Sequence, residues 1–212
     1  MFNITFKCSK KDGWMKEKEK IINLEYIDIT NETLKNANPN YSEIKELFEY
    51  QEYNILNAKF DTKDITILER YALRKIQNKI GGTFELLHRV QIDGVSTPDA
   101  KYFNKKIFNK EKYFDIKSPK KSESLKSKSQ KISRQFNEAK HQTNNIIISL
   151  LREDCDLSNK DAIKQIEECL NNKRYNWIEN VILVGKDDLI KIYKKRRSLN
   201  EMSLWPLLMT TL

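Results

Sequence analysis

The sequence predicts an α+β fold: one mostly antiparallel β-sheet packed against helices, with an N-terminal helical or irregular extension. Three observations carry that expectation. After residue 64, stretches with a period near 3.6 are interleaved with short alternating or apolar runs. Residues 145–151, NIIISLL, are almost continuously apolar, as in a strand covered on both faces. Residues 177–195 read as two strands closing around Gly185-Lys186-Asp187. The expected organisation is an extension over residues 1–60, a folded domain over 61–195 and a tail over 196–212.

Taken in order, NITFKCS suggests a short strand, and the alternation in INLEYIDIT, residues 22–30, a second. NANPN at 36–40 breaks the chain. Ser42 is placed to cap a helix over 42–56, with Ile44, Leu47, Phe48 and Ile55 at helical spacing. A clearer helix follows Asp64, with Ile67, Leu68, Tyr71, Ala72, Lys75 and Ile76 in period, and Gly81-Gly82 ends it. TFELLHRVQI alternates as a strand and turns at Asp93-Gly94. AKYF, KKIF and KYFDIKS read as short extended runs. Residues 127–144 form an amphipathic helix with Ile132, Phe136 and Ala139 inward, and Asn159 is placed to cap a further helix over 159–170.

Charge is concentrated. The 212 residues carry a formal net charge of +9, and residues 101–134 alone hold twelve Lys/Arg against Glu111, Asp115 and Glu123, so the remainder is neutral. Such a patch attracts polyanions and makes affinity salt-sensitive; a Lys/Ser run also reads as a solvated loop. Cys8, Cys155 and Cys169 are odd in number, form no CxxC and lie far from both histidines, which argues against a disulfide framework or zinc site. Reduced cysteines, the lack of a signal-peptide core and the lack of an apolar run of bilayer length together point to a cytoplasmic protein with no membrane role.

The residues that bear chemistry gather in this basic stretch. Asp115 and Lys117 are two apart on an apolar strand and therefore share a face. Asp99 follows Pro98 at the start of the preceding extended run. Two carboxylates and an amine in a positive field suit phosphodiester cleavage, where acids position a base or metal and cations offset charge on the phosphorane. Gln135 and Gln142 lie seven apart on the following helix and would hold substrate, while His141, beside them with Arg134, would move a proton. Ser118 offers a hydroxyl, and Lys120, Lys121, Lys126, Lys128, Lys131 and Arg134 offer phosphate contacts. Each also reads as an ordinary surface residue, as do Glu69 on the preceding helix and His88 in its strand. Tyr102, Phe103, Phe108, Tyr113 and Phe114 interleave with the lysines as base-stacking candidates, though most are expected to pack internally.

Pro98-Asp99-Ala100, Asp115-Ile116-Lys117-Ser118-Pro119, the helix from Gln135 to Gln142 and the strand Asn145–Ile148 occur in an order that resembles the C-terminal tRNA nuclease domain of CdiA-type contact-dependent inhibition toxins. That group is similar to the wider barnase, EndoU, colicin and RelE-like set of small ribonucleases. The resemblance spans about residues 64–195. It implies cleavage of RNA, commonly tRNA, in the cytosol of a target cell, and restraint by a cognate immunity protein, for which an acidic surface would suit the basic patch. The expected chemistry is transesterification without a cofactor, with Lys117 on the phosphate and Asp99, Asp115 or His141 taking the proton. Two alternatives use the same residues: a Mg2+-dependent DNA nuclease with Asp99, Asp115 and Glu69 as ligands, or a nucleic-acid-binding protein of a mobile element without catalysis.

Overall fold

The computed structural model describes residues 25–47, 59–61, 67–87, 89–91 and 97–196. In chain order these form β1 (Tyr26–Asp28), α1 (Thr30–Lys35), β2 (Lys45–Leu47), β3 (Lys59–Asp61), α2 (Ile67–Ile80), β4 (Thr83–Leu87) and β5 (Arg89–Gln91). Then follow β6 (Ala100–Phe103), β7 (Lys112–Lys117), α3 (Leu125–Ser129), α4 (Lys131–Ala139), β8 (Asn145–Ser149), α5 (Asn159–Leu170), β9 (Asn180–Val184) and β10 (Ile190–Lys195).

Eight strands make one sheet in the order β1-β10-β9-β8-β7-β6-β4-β2, and β3 pairs with β5 separately. The pairings β1–β10, β10–β9, β7–β6 and β6–β4 are antiparallel, whereas β9–β8, β8–β7 and β4–β2 are parallel. Parallel neighbours need a crossover longer than a hairpin. Here α3 and α4 carry the chain from β7 to β8, and α5 carries it from β8 to β9. Both edge strands of the large sheet, β1 and β2, come from the segment expected to be a helical or irregular extension.

Apolar side chains on the two sheet faces define two cores. On one face Phe84, Tyr102, Phe114, Ile116, Ile147, Ile182 and Ile192 pack against Ala72, Leu73, Ile76 and Ile80 of α2. On the other, Ile146, Ile148, Val181 and Leu183 pack against Ile132, Phe136 and Ala139 of α4 and Ala162, Ile166 and Leu170 of α5. A strand covered on both faces must be apolar on both, and all five residues of β8 are buried.

Gly81 and Gly82 end α2 with φ of 80° and 81°. A Cβ on Gly82 would stand 2.6 Å from the Tyr102 ring and 2.7 Å from the Phe103 carbonyl, so only glycine fits. Tyr102 stacks on Phe84 with ring centroids 3.9 Å apart and donates to the Gly81 carbonyl at 2.7 Å.

Four expected elements differ. Residues 45–47 pair with β4 as a strand, although their spacing suggested a helix. KKIF is a turn: Lys106 N–H donates to Asn104 Oδ1, and the Ile107 and Phe108 N–H groups donate to the Asn104 carbonyl, which delivers Ile107 and Phe108 to the core. The helix expected over 127–144 is α3 and α4, ending at Ala139. α5 is capped by Ser158, whose Oγ accepts from Asp161 N–H at 3.1 Å; Asn159 instead bonds the backbone of Lys186 in both directions. The strand expected over residues 3–9, Asp64, His88, the Asp93-Gly94 turn and the 197–212 tail lie outside the described residues.

Candidate active site

In β7, Phe114 and Ile116 enter the α2-side core, so the period of two turns Asp115 and Lys117 to the α4 side. There Lys117 Nζ lies 2.9 Å from Asp115 Oδ2. Asp115 is fully buried, and its lysine is about one-seventh exposed, at 14%. Asp99, just before β6, is tied in from three directions. Its N–H donates to the Phe114 carbonyl at 3.0 Å, its carbonyl accepts from Leu87 N–H at 3.0 Å, and its Oδ2 accepts from Ile116 N–H at 2.7 Å. Pro98 has no N–H to continue the ladder, so pairing starts at Asp99. This brings the Asp99 and Asp115 carboxyl groups into contact through a hydrogen bond.

Burial and then the Asp99 charge push the Asp115 carboxyl up to about 7, with Lys117 opposing them. Asp115 can therefore hold or release a proton near neutral pH, which suits it to proton transfer.

Gln142 closes the site from above. After α4 ends, Gln142 N–H bonds the Ala139 carbonyl at 2.9 Å, and Thr143 Oγ1 and Asn145 Nδ2 both donate to the Tyr113 carbonyl, at 2.7 and 2.9 Å. The turn is thereby pinned to the start of β7. With Gln142 Oε1 toward Lys117 Nζ the two atoms are 3.4 Å apart; with the amide turned over, Nε2 donates to both Asp115 oxygens, at 3.1 Å to Oδ2. The second orientation matches an ionised Asp115, and the first leaves an acceptor facing a protonated one.

The other expected residues fall less centrally. His141 is exposed in the same turn and makes no hydrogen bond or ion pair with another described residue. Gln135, in α4, bonds Glu138 at 3.2 Å and does not reach the aspartates. The face expected to be shared by Gln135 and Gln142 does not form, because the helix ends between them. Glu69 stands in the first turn of α2, on the opposite side of the sheet, and among the described residues no three acidic, His or Cys side chains are grouped to hold a metal.

The basic segment runs from the end of β7 through α3 into α4. Lys120, Lys121, Lys126 and Arg134 are exposed, and Lys128 is partly so. Arg134 bonds Ser127 Oγ at 3.1 Å, and Ser124 Oγ caps α3. Lys131 departs from its expected role as a phosphate contact: it is buried and bonds Asp156 Oδ1 at 2.6 Å and the Lys120 carbonyl. Asp156 also accepts from the Ser122 N–H and hydroxyl, at 3.1 and 3.2 Å. Burial alone would raise the Asp156 carboxyl, but the Lys131 and Ser122 hydrogen bonds outweigh it and hold it at about 2. No local pattern marks Asp156, because its partner lies 25 positions away. Ser118 Oγ, next to Lys117, is buried with no hydrogen-bond partner. Of the five aromatics, Tyr102, Phe108 and Phe114 are core residues, while Phe103 and Tyr113 are 44% and 40% exposed.

A mixed sheet between helices, with a buried aspartate pair and a lysine beside it, defines an α+β domain with a candidate acid–base centre. Residues 107–190 match the family model of the contact-dependent growth inhibition CdiA C-terminal domain. The matched span includes Asp115, Lys117 and Gln142, and Asp99 lies just outside it. The likeness to that toxin domain is confined to this span, which is less than half of the chain. No curated protein and no solved structure matches the chain.

Proposed function

We propose that this domain is a toxin ribonuclease that cuts RNA, with tRNA as the expected target, by transesterification without a metal. The observation that carries the reading is the contact of Asp99, Asp115 and Lys117 within one enclosed site.

Lys117 is the partly exposed cation at this site, so it is the group assigned to a non-bridging phosphate oxygen, where it offsets charge as the phosphorane forms. The ionised member of the aspartate pair takes the ribose 2′-hydroxyl proton. The 2′-oxygen then bonds to phosphorus, and the 5′-oxygen leaves with a proton returned by the protonated carboxyl. The products carry a 2′,3′-cyclic phosphate and a 5′-hydroxyl. Because Gln142 covers Asp115, its side chain must swing aside and is then placed to hold the displaced phosphate or ribose. His141 and Gln135 are assigned peripheral substrate contacts. A cytosolic site of action and an acidic immunity protein covering the exposed basic segment belong to the same reading.

The side chains fit a magnesium centre poorly. Mg2+ requires a near-octahedral oxygen set, whereas Asp115 is already bonded to Lys117 and Gln142, and Glu69 lies across the sheet. A tRNA pool and a plasmid, each incubated with the protein in EDTA or in magnesium, distinguish the two chemistries. RNA cleavage in EDTA is the expected result; cleavage of DNA alone, and only with magnesium, would overturn it.

A further inference from the structure

The geometry points to a binding path for an unpaired RNA strand, running from the aspartate site past Tyr113 and Phe103 to a lysine-lined groove. It rests on the ribonuclease reading and names the form of RNA that the site accepts.

Tyr113 is two residues before Asp115 and so projects from the same sheet face, about 7 Å along the strand. A base stacked on it leaves the adjoining phosphate within reach of Lys117. Phe103, on the neighbouring strand β6, opens into the same groove of about 820 Å³. These are the two exposed aromatics among the five that interleave with lysines. Aromatic faces that stand open on a sheet stack unpaired bases, which a duplex keeps in its own interior.

The groove continues into a larger one of about 1470 Å³ through Lys110, Lys112, Asn144 and Glu179, which line both. In this second stretch Lys106, Lys194 and Lys195 donate to the carbonyls of Asn36, Ile107 and Asn176. For Lys106 and Lys195, hydrogen bonds to neutral carbonyls fix the amines without cancelling their charge. Arg196 stands exposed at the rim. Positive charge held in place along a groove suits a sugar–phosphate backbone.

The test uses a 2′-O-methyl oligonucleotide of about ten nucleotides, which cannot be cleaved by 2′-hydroxyl attack, as a labelled single strand and as a hairpin duplex. Fluorescence anisotropy should show tighter binding of the single strand. Phe103→Leu with Tyr113→Leu should weaken it by about tenfold or more, while Tyr113→Trp retains it. Lys110→Glu with Arg196→Glu should weaken it and flatten its salt dependence. Equal binding of strand and hairpin, or unchanged binding by the leucine pair, would overturn the path. Cleavage of unmodified RNA is scored separately. Retained cleavage with unchanged binding rejects the path and leaves the ribonuclease intact; aromatic-dependent binding without cleavage by the wild type upholds the path and rejects the ribonuclease.

Discussion

Burial and the Asp99 carboxyl keep a proton on Asp115 until the pH nears about 7. In the unfolded chain the same group ionises at its ordinary value. Between about pH 4 and 7 the folded state therefore binds a proton that the unfolded chain has released, and stability falls as pH rises through that window. Asp115→Asn removes this dependence. Its urea midpoint is expected to drop less than that of the wild type between about pH 5 and 8; each tenfold difference in proton affinity between the folded and unfolded chains is worth about 1.4 kcal/mol, which bounds the effect. Lys117→Ala removes the assigned phosphate contact and is expected to lower RNA cleavage by about a hundredfold or more, with the far-ultraviolet circular dichroism unchanged. The Asp115–Lys117 pair was legible because period two is strict on a strand. Gln142 was also legible, although for a different reason than the one that places it: a turn beyond α4, and not a continuous helical face, lays it on Asp115. His141 shared the helical argument and falls outside the site because the helix ends at Ala139.

At the scale of elements, β7, α4 and β8 form the unit that builds the site, and local sequence patterns marked all three. Their apolar positions follow strand and helix periods, and burial against the sheet rewards both. Edges and turns were less legible. Lys45–Leu47 joins β4 through a long-range pairing that three residues do not reveal, and Asn104 makes a turn from residues that resembled a strand. The basic segment looked like a solvated tract because its anchor is Asp156. Asp156→Asn leaves Lys131 buried without its charge partner and is expected to cost about 1–3 kcal/mol at neutral pH. The Asp156 carboxyl is depressed, so its contribution is present above the ordinary carboxylate range and is lost as pH falls toward about 2. A double-mutant cycle with Lys131→Met reads the coupling, and a coupling energy of zero would mean that the pair does not hold the segment. Gly82→Ala forces a Cβ into the Tyr102 ring at positive φ, and is expected to lower the melting temperature by several degrees through a destabilisation of about 2–4 kcal/mol.

Across the whole molecule, apolar side chains divide into two cores on either side of one sheet, while the charge excess sits in residues 101–134. Composition revealed that excess, and the structure assigns it unevenly. Lys131 is internal, Lys101 and Lys112 are paired with Glu85 and Glu179 at 2.7 and 2.6 Å, and Lys120, Lys121 and Lys126 face solvent. Replacing those three exposed lysines with glutamine is expected to reduce the salt slope of RNA binding by about 0.7 for each phosphate no longer neutralised. The most direct measurement incubates wild type and Lys117→Ala with a tRNA pool in EDTA and identifies the fragment ends. The wild type is expected to leave 2′,3′-cyclic phosphates, and the variant almost no fragments. Intact tRNA with both proteins, or equal cleavage by both, would contradict this expectation.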